Sequence, residues 1–62
     1  MEDNIISKEW YLGHRLETYE LKDGTYITKV FDKYGKVMEQ EGETVGESIH
    51  LAKYWLDIKI DG

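Results

Sequence analysis

The chain has 62 residues, of which thirteen are acidic and eight basic, so its net charge is −5. A domain of this size buries only about 60% of the surface that its unfolded chain exposes, which leaves little volume for an enzyme pocket. The absence of cysteine excludes disulfides and thiolate zinc sites. No apolar run reaches the roughly 20 residues of a membrane span. We therefore expect one small cytoplasmic domain over residues 1–62 that is not an enzyme and needs no cofactor.

The N-terminal segment predicts a short helix. Ser7 can cap a helix that runs to Leu12, and Gly13 suits the left-handed position just after its end. Ile6, before the cap, and Tyr11, at the fourth helical position, would form a hydrophobic staple. We expect residues 1–4, which precede these signals, to be disordered.

The middle of the chain predicts a three-stranded antiparallel meander. Asp23-Gly24 separates two runs of strand-forming residues and is a strong signal for a hairpin. In the second run Tyr26, Thr28 and Val30 would share one face, with the intervening residues on the other face. The predicted strands are residues 15–21, 25–31 and 36–41, with the second turn at residues 32–35.

The C-terminal third predicts a helix that packs on one face of this meander. Thr44 and Glu47 have the spacing of a capping box, which fixes the start of the helix. Residues 56–60 also alternate at period two, so a fourth strand is open there, although we favour a continuous helix. Two adjoining apolar stripes make an arc wider than one small sheet requires. The stripes are Val45, Ile49, Ala52, Leu56 and Ile60, and beside them Leu51, Trp55 and Ile58.

Aromatic residues make up 13% of the chain, too many for one face of a small sheet. The central strand also carries apolar residues on both of its faces. The sequence leaves two explanations open: residues 5–12 fold over the second face, or a partner chain covers it.

Two motifs give a family resemblance. Asp23 to Ile27, and the helix opening Gly42-Glu43-Thr44-x-x-Glu47-Ser48 with Ala52 and Leu56, resemble the core of HicB-type antitoxins. The resemblance covers residues 23–56 and implies a partial ribonuclease-H-like fold. The family's Pro-Asp-Leu-Pro-Gly segment is replaced by the proline-free residues 31–35, and we expect no second DNA-binding module. The resemblance implies a toxin-neutralising or other partner-binding core.

The predicted order of elements is also similar to the double-stranded-RNA-binding domain. Residues 48–53 occupy the position of that family's lysine-rich helix start, but Ile49 and His50 stand where the paired lysines would be. This substitution removes the phosphate-binding groups, so the likeness implies the fold only. A nucleic-acid-binding module that uses the sheet face or Lys29, Lys33 and Lys36 is the second hypothesis.

The candidate site residues are acidic and aromatic. Glu39, Glu41 and Glu43 alternate, so on a strand they would project from one face about 6.6 Å apart. Such a line of charge suits a basic groove on another protein, although it is also typical of a solvated edge strand. Tyr34 and Trp55 would supply desolvated anchors. His14 and His50 show no metal-ligand spacing, and no catalytic set is visible.

The sequence thus predicts a small acidic protein-interaction module of inhibitor or antitoxin type, which binds a basic protein without catalysis. A homodimeric accessory protein of a phage or mobile element is the structural alternative. In that case the wide arc of the C-terminal helix would form the dimer contact.

Overall fold

The computed structural model describes residues 5–61 of the chain, without the side chains of residues 60 and 61. The predicted disorder of residues 1–4 lies outside the described residues. The fold is α+β, with four strands followed by one helix. The elements are β1 (Ile5–Tyr11), β2 (His14–Glu20), β3 (Tyr26–Asp32), β4 (Gly35–Gly42) and α1 (Val45–Asp61).

The sheet is an antiparallel meander in which the strands lie in the order β1-β2-β3-β4. The three predicted strands correspond to β2, β3 and β4. At the β2–β3 turn, Asp23 Oδ1 accepts hydrogen bonds from the backbone N–H and the hydroxyl of Thr25 (3.0 and 2.6 Å). At the second turn Asp32 Oδ1 accepts from the Tyr34 N–H (2.7 Å). These carboxylates stabilise both turns at the positions that the sequence predicted.

The predicted N-terminal helix from Ser7 to Leu12 is wrong, because this segment forms β1 and its turn. Tyr11 pairs with His14, so Leu12 and Gly13 form a two-residue hairpin turn with φ of 50° and 78°. Hairpin turns of this kind need positive φ at both positions, which Leu adopts at a cost of about 1–2 kcal/mol. Gly13 is left-handed as predicted, but it closes a hairpin rather than a helix.

The position of β1 also corrects the expectation that residues 5–12 fold over the second face of the sheet. β1 pairs edge to edge with β2 and extends the sheet by a fourth strand. We name the face that contacts α1 the covered face and the other the open face. No element of residues 5–61 lies on the open face.

The core lies between α1 and the covered face. Leu16 and Val30 from the sheet contact Ala52 and Leu56 from the helix, and all four are buried. The alternation predicted for the central strand is confirmed, since Val30 and Thr28 face the helix. α1 runs without interruption from Val45 to Asp61, which confirms the continuous helix over residues 56–60.

A chain of buried hydroxyls continues the core toward the start of α1. Thr18 and Thr28 share a hydrogen bond (2.8 Å), as do Thr28 and Ser48 (2.8 Å). Ser48 Oγ donates to the Val45 carbonyl (3.0 Å), so each of these three buried hydroxyls has a partner. Each group therefore avoids the cost of an unsatisfied buried polar atom.

The start of α1 is held close to the end of β4. Thr44 Oγ1 accepts from the Glu47 N–H (3.0 Å), and Glu47 Oε1 accepts from the Glu43 N–H (2.6 Å). The predicted capping box is present, with the glutamate reaching one residue beyond the usual position. A Cβ on Gly42 would lie only 2.7 Å from the Ser48 backbone nitrogen, so the close approach requires glycine.

Candidate protein-interaction surface

Two of the predicted acidic residues lie side by side on β4. Glu39 is paired across the sheet with Lys29, and Glu41 with Ile27. Because Val30 and Met38 belong to the covered face, Glu39 and Glu41 project from the open face. Glu39 Oε1 also accepts a hydrogen bond from Lys36 Nζ (2.8 Å), a pair too exposed to add much stability.

The third predicted acid, Glu43, lies beyond the end of β4 and does not continue this row. It borders a shallow depression of about 250 Å³ where β4 leads into α1. Three carboxylates surround this depression, with Leu51 beside them. The residues that line it are Thr25, Glu41, Gly42, Glu43, Glu47 and Leu51.

Tyr34 lies at the tip of the β3–β4 hairpin and is 85% exposed, the highest exposure among the large apolar side chains described. Lys33 Nζ lies 5.3 Å from the centre of its ring. Tyr34 therefore offers a large amphipathic surface at one end of β4.

Trp55 lies on the other side of the sheet from Glu39 and Glu41. It lines a cleft of about 470 Å³ between α1 and the first half of β4. Trp55 is 46% exposed and Val37 is 47% exposed, so much of the apolar lining faces solvent. Met38 and Leu56 complete the apolar lining, and the polar rim consists of His14, Asp32 and Lys59.

The cleft lies toward the start of β4 and the acidic depression toward its end, and α1 borders both. We name the two together the β4–α1 groove, lined by Val37, Met38 and Gly42 of β4 and by Leu51, Trp55 and Leu56 of α1, with Glu41 at its margin on the strand edge. Sequence reasoning missed Val37 and Met38 as site residues. The signal for the groove was the second apolar stripe of the helix, because Leu51 and Trp55 belong to it.

The predicted site residues thus surround one strand without forming one continuous face. Glu39 and Glu41 lie on the open face of β4, Trp55 lies in the β4–α1 groove, and Tyr34 lies at the hairpin tip. β4 is an edge strand. A partner that contacts all of them would have to bind along this edge.

The open face carries charged and aromatic side chains in rows across the strands. One row consists of Trp10, Arg15, Phe31 and Lys36, and the neighbouring row consists of Lys8, Glu17, Lys29 and Glu39. The Arg15 guanidinium lies 4.7 Å from the centre of the Phe31 ring, and Lys29 Nζ lies 4.8 Å from that of Tyr19. Ile27 is buried on this face although no helix packs on it.

Glu17 is the buried acid of the open face. Its Oε1 accepts a hydrogen bond from the Tyr19 hydroxyl (2.6 Å). Its Oε2 lies 2.7 Å from Arg15 Nε, an ion pair without hydrogen-bond alignment. The hydrogen bond from Tyr19 and the charge of Arg15 lower the pKa of Glu17 although burial opposes them. The carboxylate is therefore held ionised inside the row.

Residues 5–61 contain no group of three or more histidine or acidic side chains placed to hold a metal ion. His14 Nδ1 lies 2.9 Å from the Leu12 carbonyl oxygen, and His50 is exposed on α1. Among the described residues no helix is both long and apolar enough to cross a membrane.

No protein-family model matches the chain, and no curated protein or solved structure does.

Proposed function

We propose that this chain is a small protein-interaction module of inhibitor or antitoxin type that binds a basic protein without catalysis. The observation that carries the proposal is the β4–α1 groove, where half-exposed Trp55 and Val37 line a cleft beside a strand edge that bears Glu39 and Glu41. Apolar anchors next to charges that select the partner are typical of protein interfaces.

The two parts of the surface would act differently. Glu39, Glu41 and Glu43 would attract lysine and arginine side chains of the target, which raises the association rate and excludes acidic proteins. Trp55 and Val37 would be desolvated in the complex, and this burial would supply most of the affinity. The net charge of −5 adds a general attraction toward basic targets.

The test is affinity capture from the source cell's lysate with the tagged chain at moderate salt, followed by mass spectrometry. We expect one basic protein to be retained. The triple variant in which Glu39, Glu41 and Glu43 are replaced by Lys should lose it, and the triple Gln variant should retain an intermediate amount. Equal retention by all three proteins would refute the electrostatic part of the proposal.

The two tryptophans provide a matched control for the apolar part. Trp55→Ala should weaken binding of the captured protein by about tenfold or more, as expected for a central anchor. Trp10→Ala removes the same side chain from the open face and should leave the affinity within about twofold. Circular dichroism of both variants establishes that they are folded.

A second candidate function is binding of single-stranded nucleic acid on the open face. One observation favours it: Trp10 is 70% exposed and lies in the same row as Arg15 and Phe31. Aromatic rings and guanidinium groups of this kind can stack on nucleic-acid bases. The face also carries four cations, which are Lys8, Arg15, Lys29 and Lys36, against the three anions Glu17, Glu39 and Glu41.

Fluorescence anisotropy of a labelled twelve-nucleotide thymidine oligomer separates this candidate from the first. If the open face binds nucleic acid, Trp10→Ala weakens binding and Trp55→Ala does not, and the affinity falls with salt. No binding at low salt removes this candidate.

A further inference from the structure

We propose that β4 receives an extended segment of the partner as a fifth strand, with basic side chains opposite Glu39 and Glu41 and an apolar side chain in the cleft at Trp55. This inference rests on the proposed protein-binding function and specifies the chemistry of the partner. The partner segment would alternate lysine or arginine with apolar residues.

The first step of the argument is the edge itself. Within residues 5–61, β4 pairs with β3 on one side and with no strand on the other. β4 is eight residues long, and its regular part, Met38–Gly42, is by itself as long as a typical strand. Edge strands are usually kept short or covered because their free N–H and C=O groups recruit other strands. An accessible edge of ordinary strand length is the template that strand addition requires.

The second step is the alternation of side chains along the edge. A residue paired with Glu39 or Glu41 would project from the open face and lie directly beside that carboxylate. Lysine or arginine is the complementary choice at these two positions. The register shift at the start of β4 confines regular pairing to Met38–Gly42, which contains both glutamates.

The third step is the groove on the opposite side of the same strand. A residue paired with Met38 would project from the covered face, toward the cleft that Val37, Met38 and Trp55 line. The cleft volume of about 470 Å³ admits a large aliphatic or aromatic side chain. An added strand would therefore cover the exposed apolar surface that α1 leaves at this edge.

Charge argues against a second copy of this chain as the occupant. Antiparallel pairing of the regular segment Met38–Gly42 with the same segment of a second copy would place Glu39 opposite Glu41 of the copy, and Glu41 opposite its Glu39. Like charges directly opposite each other destabilise a strand pair. The edge is thus complementary to a basic segment and not to itself.

The experiment selects random linear twelve-residue peptides on the full chain by display. We expect the enriched peptides to alternate basic and apolar residues over at least about five positions, the span of Met38–Gly42. The best peptide is then synthesised in two N-methylated forms, each methylated at one alternate set of residues. N-methylation of the set that faces β4 should weaken binding at least about tenfold, because two or more backbone hydrogen bonds are lost. N-methylation of the other set should change it less than about twofold.

Trp55 reports binding directly when it is the only tryptophan. In the Trp10→Phe variant its emission should shift to shorter wavelength when the peptide binds, since the indole leaves water. Glu39→Lys combined with Glu41→Lys should abolish the shift at the same peptide concentration.

Three outcomes would overturn the inference. The first is that enriched peptides show no alternation or that no peptide is enriched. The second is that both N-methylated peptides bind as well as the parent, in which case a basic partner binds by side chains alone and the proposed function stands. The third is that light scattering shows a dimer which does not bind the peptide and which persists when Glu39 and Glu41 are both replaced by Lys. In that case a second copy of the chain occupies the edge.

Discussion

The two edges of the sheet are attached to the helix in different ways. α1 packs mainly against β4 and then against β3 and β2. It reaches the β1 edge through polar side chains, since the Tyr11 hydroxyl donates to Asp57 Oδ1 (2.8 Å) and Lys53 Nζ lies 3.2 Å from Glu9 Oε1. The helix therefore lies away from the middle of the sheet, toward β4. Ile49, Ala52 and Leu56 of its first apolar stripe lie in or against the core. Leu51 and Trp55 of its second stripe remain at the β4 edge as one wall of the groove.

This difference explains the width of the helical arc. One sheet face requires a narrow stripe, and Ala52 and Leu56 provide it. Leu51 and Trp55 add apolar surface only where β4 ends the sheet. Part of the surplus of aromatic residues, Trp55, thus lies at the β4 edge and does not pack in a second layer on the open face.

The largest expected effect comes from the core that α1 forms with the two central strands, between the two edges. Leu56→Ala should lower the free energy of unfolding by about 2–5 kcal/mol, because it removes a buried side chain from the core. Ile58→Ala is the matched control, since Ile58 is exposed, and should stay within about 0.5 kcal/mol. Urea unfolding followed by circular dichroism measures both changes. Equal losses would mean that the second stripe is also part of the core.

A smaller effect is expected at the β1 edge alone. Tyr11→Phe removes the donor and Asp57→Ala the acceptor of the hydrogen bond to the helix, and each should cost about 0.5–1.5 kcal/mol. In a double-mutant cycle the two losses should not add, because they report one interaction. Hydrogen exchange should become faster in β1 and stay unchanged in β4. Additive losses would show that the bond does not hold this edge in solution.

The smallest effect is expected at Glu17, between the two edges. Because the pKa of Glu17 is lower in the fold than its ordinary value of 4.5, the carboxylate stabilises the fold above that pH. This contribution is lost as the pH falls through the lowered pKa. Urea midpoints of the wild type and Glu17→Gln should therefore differ most near neutral pH, begin to approach each other near pH 4.5 and converge only below the lowered pKa.

Tyr19→Phe is the companion variant for this measurement. It removes the hydroxyl that donates to Glu17 and keeps the ring beneath Lys29. Its stability should depend on pH less steeply than that of the wild type in the same window. An unchanged dependence in both variants would show that Glu17 has the same pKa in the folded and unfolded chain.

The sequence was sufficient for β2, β3, β4 and the start of α1, because local chemistry marks each of them. Asp23-Gly24 marks one hairpin, and Thr44 with Glu47 marks the helix start. β1 was missed because its turn is Leu12-Gly13, which lacks the Asn-Gly or Asp-Gly signal of such hairpins. Ser7 then acted as a false helix cap, since the same residue type also occurs in strands.

The candidate surface was only partly predictable. Alternation places Glu39 and Glu41 on one face of a strand, and the structure has them there. The position of Trp55 relative to them depends on how α1 is rotated over β4, and no local pattern encodes that rotation. The same holds for Val37, whose exposure follows from the register shift at the start of β4.

The order of elements has a consequence for synthesis of the chain. Every strand pairs with its neighbour in sequence, so the hairpins can form as the chain leaves the ribosome. Ala52 and Leu56, which bury Leu16 and Val30, are synthesised after all four strands. Translation adds about 5–20 residues per second, so the stretch from Gly42 to Leu56 takes on the order of 1–3 s. During that interval the covered face is bare. A nascent meander of this kind is most vulnerable to aggregation, or to capture by a chaperone, just before its helix is made.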